Sequence, residues 1–98
     1  MCEKDNQNYG ILFYMERITD IVVGKTLRHL REEQGLRQSE VAERFEVSQP
    51  IVSKIESGER GFYLREIVDY ASALGIQPDV LFSKVCHSLV KEAKAQRK

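Results

Sequence analysis

The chain has 98 residues, which is enough for one domain with a modest core and too few for two. Its 42% hydrophobic and 31% charged residues are typical of a globular protein and exclude an intrinsically disordered chain. Fifteen basic residues balance fifteen acidic ones, so no strong overall field attracts a polyanion, and any affinity for nucleic acid would depend on a few well-placed phosphate contacts.

The N-terminus does not have the pattern of a secretory signal, because Glu3 and Asp5 precede only a short apolar run and no small-residue cleavage site follows. No apolar stretch is long enough to span a membrane. Cys2 and Cys86 match no metal-binding or redox spacing and are expected to be free thiols in a reducing compartment. These features predict a soluble cytoplasmic protein.

Residues 1–19 are predicted to form an N-terminal extension that is partly disordered or contacts a dimer partner. Its apolar run, Ile11–Met15, fits either a strand or a helical turn, and Met15 could be an alternative translation start. A helical pattern begins at Asp20 and ends at Gly35, which is placed to be a left-handed cap.

Two short helices joined by a tight turn are predicted within Gln38–Gly58. Their apolar residues are spaced to pack the pair at a fixed angle: Val41, Ala42, Phe45, Val52 and Ile55. The second helix opens instead with hydroxyl, amide and amine groups on its outer face. Such a face at the start of a helix is what readout of a DNA major groove requires.

A fourth helix is predicted from apolar residues at 3–4 spacing, with Gly75 as its stop: Leu64, Ile67, Val68, Ala71 and Leu74. Pro78 is predicted to open a fifth helix, which fades into a basic tail over residues 91–98. The sequence therefore predicts five helices joined by short loops, with one domain over residues 20–90.

Two adjoining stretches of the sequence resemble the phage-repressor-type (Xre/Cro-like) helix-turn-helix family. They read LRHLREEQGLRQSEVAERFEVSQPIVSKIESGER and LREIVDYASALGIQPDVLF, and the resemblance extends from about Val22 to Phe82. It implies an all-α, five-helix lambda-repressor-like domain with a helix-turn-helix motif, preceded here by the N-terminal extension. It also implies a sequence-specific DNA-binding transcriptional regulator, a homodimeric repressor that reads the major groove of double-stranded DNA with helix 48–57.

Other functions remain open within this resemblance. The chain could be an antitoxin or a restriction–modification controller that regulates its own operon, in the first case with a toxin partner of unknown identity. It could also be a protein-interaction module that uses the same fold without DNA.

The resemblance places the base-reading side chains at Gln49, Pro50 and Lys54. The Gln49 amide can bond the N6/N7 edge of adenine, and Lys54 can donate to guanine O6/N7 or to a phosphate. Pro50 has no N–H and would at most touch a thymine methyl group. Gln38 is implied to bond a phosphate and to brace the recognition helix. The predicted DNA interface is completed by Arg37, Ser48, Ser53 and Arg60, although Gln38, Lys54 and Arg60 could also be solvated side chains without a DNA contact.

Arg31 and Glu56 match the family positions for an ion pair that ties the first helix to the recognition helix. Three positions depart from the family pattern. Arg37 replaces the usual Ser or Thr cap, Glu46 replaces a glycine expected at positive φ, and Gly61–Phe62 replaces a proline-containing link.

A homodimer is expected because one recognition helix reads too few bases for useful specificity. The candidate interface residues lie in the last helix and in the N-terminal run, unless these two ends cover each other within one chain: Phe82, Cys86, Leu89, Val90, Phe13 and Tyr14. No nucleophile–base pair, paired carboxylates or glycine-rich phosphate loop occurs. His29 and His87 are far apart in sequence. We therefore expect no enzymatic activity, no metal and no cofactor.

Overall fold

The computed structural model describes the backbone of residues 2–96 and the side chains of residues 18–95. Five helices and one 3₁₀ turn follow in the order α1 (Cys2–Glu33), α2 (Gln38–Phe45), α3 (Gln49–Ser57), the 3₁₀ turn Leu64–Glu66, α4 (Ile67–Leu74) and α5 (Pro78–Gln96). No strand occurs in this described range. The prediction of an all-α, five-helix domain is confirmed.

Both terminal helices are longer than predicted. The helix expected from Asp20 belongs to α1, which already begins at Cys2, because no proline interrupts the intervening residues. At the other end, α5 continues past residue 91 as far as Gln96. The proposed extension and tail are thus largely continuations of helices. Phe13 and Tyr14, two of the candidate dimer contacts, lie outside the residues whose side chains are described.

The hydrophobic core lies where α1 packs on α3 and α5, and where α2 packs on α3 and α4. Its largest fully buried members come from every helix: Leu27, Val41, Val52, Ile55, Tyr70, Leu74 and Leu81. At about 25 cal/mol per Å², each such side chain contributes roughly 1.5–3 kcal/mol when it leaves water. This core fixes the position of α3 against α1 and α2.

The predicted apolar face of α4 was wrong at two positions. Leu64 and Val68 are 74% and 62% exposed. Leu64 precedes α4 in the 3₁₀ turn, and the core position is taken by Tyr70, which is completely buried. The Tyr70 ring packs edge-on against Phe45 and Phe62, at 5.1 and 5.2 Å between ring centroids.

The turn between α2 and α3 contains Glu46 in the left-handed conformation, with φ 63° and ψ 42°. It is the one non-glycine residue at positive φ among those described. The turn is closed by the N–H of Val47, which donates to the carbonyl of Ala42 at 3.0 Å. The replacement of glycine therefore leaves the turn unchanged and costs about 1–2 kcal/mol of backbone strain.

The crossing of α1 and α3 depends on Gly24. A Cβ at this position would lie 2.5 Å from the carbonyl oxygen of Glu56 and closer still to that of Ile55. The two helices can therefore approach at this distance only because residue 24 has no side chain. This contact sets how α3 sits on the body of the domain.

Candidate nucleic-acid interface

The opening turn of α3 is the exposed end of the motif. Ser48 occupies the N-cap position, and its carbonyl accepts the N–H of Ile51 at 3.0 Å, but its hydroxyl forms no capping hydrogen bond. Gln49 and Pro50 follow in the first turn, and all three residues are exposed. Their outer surface is accessible to a groove, and the helix N-terminus that carries it favours a nearby phosphate.

Arg31 and Glu56 form a buried, bidentate ion pair between α1 and α3. Arg31 Nε lies 2.7 Å from Glu56 Oε2, and Arg31 Nη2 lies 3.1 Å from Glu56 Oε1. The two side chains are only 10% and 3% exposed. Arg31 Nη1 also donates to the carbonyl of Leu36 at 2.7 Å, which fixes the guanidinium on its remaining side. The hydrogen bond to Glu56 raises the pKa of Arg31.

Two glutamines extend this pair to the surface. Gln38 Nε2, at the start of α2, donates to Glu56 Oε1 at 2.9 Å. Gln49 Nε2, at the start of α3, donates to Gln38 Oε1 at 2.6 Å. We call this series of hydrogen bonds, from Arg31 through Glu56 and Gln38 to Gln49, the relay. It brings together four of the residues singled out in the sequence, and it ties the openings of α2 and α3 to one buried carboxylate.

Two further predicted contacts lie along α3. Ser53 is half-buried, whereas Lys54 is exposed. The ammonium group of Lys54 has no ion-pair partner within the described side chains, so its charge is available to a ligand.

The start of α2 compensates for its missing Ser or Thr cap. The Glu40 carboxylate accepts the backbone N–H of Arg37 at 2.8 Å, and this bond lowers the pKa of Glu40. A glutamate three residues into a helix is the sequence signal for such a cap. Sequence reasoning missed it here. The guanidinium of Arg37 lies 3.5 Å from the same carboxylate, but the side chain is 82% exposed and faces solvent beside the motif.

Arg60 is engaged within its own loop. Its Nη1 and Nη2 atoms lie 3.1 and 2.7 Å from the two carboxylate oxygens of Glu66, and Nη1 also donates to the carbonyl of Gly61. This pairing raises the pKa of Arg60 and lowers that of Glu66. The Arg60 and Arg65 guanidinium groups lie 5.2 and 5.0 Å from the ring centroid of Tyr63. The structure thus ties Arg60 to the loop before α4, and a phosphate would compete with Glu66 for it.

The candidate dimer residues of α5 differ in their surroundings. Phe82 and Val90 are 47% and 53% exposed, and Cys86 is half-buried between them along the helix. Leu89 packs against the core. A second apolar patch, which sequence reasoning placed in the core, consists of Leu64 and Val68 beside Tyr63.

The two histidines prove to lie close in the fold. His29 and His87 both line an open groove of about 440 Å³ between α1 and α5, and His29 Nε2 lies 3.0 Å from a carboxylate oxygen of Glu33. Among the side chains described, no three His, Cys, Asp or Glu residues are arranged to hold a metal ion. No helix within the described range is both long enough and apolar enough to cross a membrane.

Comparison with known proteins agrees with this geometry. A family model described as a helix-turn-helix domain matches residues 22–82. No curated protein matches the chain. Among solved structures, the restriction-modification controller protein C.AhdI from Aeromonas hydrophila is 34% identical, covering 62% of this chain and 92% of that one, with a TM-score of 0.57.

Two further structures match over more of the chain. An XRE-family like protein from Pseudomonas syringae pv. tomato is 29% identical over 80% of this chain and 93% of that one, with a TM-score of 0.62. The clp gene regulator ClgR from Corynebacterium glutamicum is 24% identical over 71% and 91%, with a TM-score of 0.64, and shows likeness of fold alone. Fold and site together define a helix-turn-helix domain with an exposed recognition helix. The chain belongs to the Xre/Cro-like helix-turn-helix family.

Proposed function

We propose that this protein is a sequence-specific DNA-binding transcriptional regulator that places α3 in the major groove. The observation that carries the proposal is the exposed opening of α3, where the Gln49 amide is braced from behind by Gln38 and the buried ion pair. A braced polar side chain at a helix start has the geometry of direct base readout. Membership in the Xre/Cro-like family supports the same function.

Selection of bound sequences from a random duplex pool tests this proposal. On the selected site, Gln49→Ala should cost about 1–3 kcal/mol and relax preference at one base pair, because one bidentate base contact is lost. Gln38→Ala should weaken binding to every sequence, since its expected contact is a phosphate, and any change in base preference would come from the loss of its bond to Gln49. Gln77→Ala, an exposed glutamine between α4 and α5, is the matched control. Failure to enrich any sequence would reject sequence-specific binding.

We further propose that the active form is a cytoplasmic homodimer, with half-sites about one helical turn, roughly 34 Å, apart. Phe82, Cys86 and Val90 are spaced by four residues and share one face of α5, which supplies an apolar surface for a second copy. The patch of Leu64 and Val68 is the competing surface. Light scattering on Phe82→Ser and Leu64→Ser variants distinguishes them. Only the variant in the true interface should shift the protein towards the monomer mass.

A more particular role is favoured by one comparison. C.AhdI, which matches at 34% identity over nearly its whole length, is a restriction-modification controller. We propose repression of the gene's own promoter as the simplest role. The likeness to C.AhdI supports the alternative, which is control of a neighbouring restriction–modification operon. We also propose that the protein binds DNA without catalysing a reaction. A reporter fused to the upstream region should lose activity when the protein is expressed. A methyltransferase gene beside this one would favour the controller role.

A further inference from the structure

The relay has a fixed chemical polarity. A carboxylate can only accept hydrogen bonds, whereas a glutamine amide offers an accepting oxygen on one side and a donating NH₂ group on the other. Gln38 must therefore turn its NH₂ towards Glu56, and the observed Nε2–Oε1 distance of 2.9 Å fits this orientation. Its oxygen then faces Gln49, which in turn must point its own NH₂ inward, at 2.6 Å.

This polarity determines what Gln49 can offer to a base. One N–H of its amide is used by Gln38, so the second N–H and the carbonyl oxygen remain for a ligand. One donor beside one acceptor complements the N7 and N6–H₂ groups of adenine. Guanine presents two acceptors at the same edge and would leave the Gln49 oxygen unmatched.

We propose that Glu56 and Arg31, which are too deeply buried to touch DNA, are specificity-determining positioning residues that make Gln49 prefer adenine over guanine. This proposal rests on the proposed function and adds the origin of its specificity. Glu56 is 3% exposed and is held in place by two bonds from Arg31, and its carboxylate has no proton to donate to a reversed amide. The preference of an exposed side chain is thus decided at the α1–α3 crossing.

Removal of the acceptor at the buried end of the relay is the decisive perturbation. In the double variant Arg31→Met, Glu56→Met, the carboxylate that orients Gln38 is gone and no charge is left buried. Nothing then determines whether Gln38 turns its oxygen or its NH₂ group towards Gln49, so Gln49 can present either its oxygen and one N–H or both N–H groups to a base. The second arrangement suits the two acceptors of guanine. We expect the adenine-to-guanine affinity ratio at this operator position to fall by at least about tenfold.

A second variant guards against a folding defect in the first. Gln38→Met keeps the length of the side chain and interrupts the relay at a half-buried position without leaving a buried charge. The affinity ratio should again fall about tenfold, whereas a lost phosphate contact would lower both affinities equally and leave the ratio unchanged. In a Gln49→Ala background, Gln38→Met should no longer alter the ratio. Melting temperatures of all variants report their folding.

The free protein provides a readout that needs no DNA. In its ¹⁵N-resolved NMR spectrum, one side-chain N–H of Gln49 should be shifted by its hydrogen bond to Gln38, and Gln38→Met should return that signal to the position of an exposed glutamine. An unchanged Gln49 signal, or an unchanged base ratio in both variants of a protein that binds its site, would overturn the relay as the source of specificity. A wild-type protein that selects no sequence would instead reject the proposed function, whatever the NMR signal shows.

Discussion

Removal of the buried carboxylate should be the most damaging single change in this domain. Glu56→Ala leaves Nε and Nη2 of Arg31 without their partner at a side chain that is only 10% exposed. Only the bond from Nη1 to the Leu36 carbonyl remains. A charge stranded in this way typically costs about 3–5 kcal/mol. For a domain of this size, each kcal/mol lowers the melting temperature by about 4–8 °C, so we expect a decrease of at least about 12 °C.

A paired replacement tests the reasoning behind that magnitude. In the double variant Arg31→Met, Glu56→Met, no charge is left in the interior, and stability should recover to within about 2 kcal/mol of the wild type. Urea unfolding followed by circular dichroism measures both proteins. If the single and double variants are equally unstable, the loss comes from packing and not from a stranded charge. If Glu56→Ala lowers the free energy of unfolding by less than about 1 kcal/mol, the pair behaves as a surface ion pair and the reasoning is wrong.

Three further changes have definite expected results. Glu46→Gly should raise the free energy of unfolding by up to about 1 kcal/mol because it relieves the left-handed strain, and it should strengthen DNA binding because it removes a carboxylate from the motif. Glu46→Gln removes the same charge but keeps the strain, so it should strengthen binding alone. Equal stabilisation by the two variants would contradict the strain. Gly24→Ala should destabilise by at least about 1–3 kcal/mol in thermal melts, because its methyl group overlaps the carbonyl oxygen of Glu56, whereas Lys25→Ala on the exposed side of α1 should be nearly neutral. The pKa of Glu66 is lower in the folded protein than its unfolded value of 4.5, so its ionised form stabilises the fold above that pH, and this contribution is lost as the pH falls through the folded pKa. Urea unfolding between about pH 5 and pH 3 should therefore show a smaller loss of stability in Glu66→Gln than in the wild type. Parallel curves for the two proteins would refute the contribution.

The motif itself could be predicted from sequence because its signals are local. Apolar spacing within α2 and α3 lies inside single helices, and Gly58 marks the end of α3 directly. The resemblance supplied the pairing of Arg31 with Glu56, which no local spacing reveals because the residues are 25 positions apart. The resulting fold prediction was correct in class and number of helices.

Side-chain partners across helices could not be predicted in the same way. The bond from Gln38 to Glu56 spans 18 positions and exists only at one relative placement of α2 and α3. The pairing of Arg60 with Glu66 was not predicted either, because the path of the loop that brings the two residues together is not specified by the sequence. The exposure of Leu64 has a similar cause: a 3₁₀ turn shifts it off the α4 face, and Tyr70, an aromatic residue with a polar end, fills the core instead.

The missing side chain at Gly24 has a consequence for how related regulators diverge. Any larger residue there would push α3 away from α1, and with it the angle at which the exposed opening of α3 meets a ligand. Two relatives with identical groove-facing residues but different residues at this one distant position would then recognise different operators. Target choice in such a lineage can change through a buried backbone contact, while the part of the sequence normally compared to infer a target stays the same.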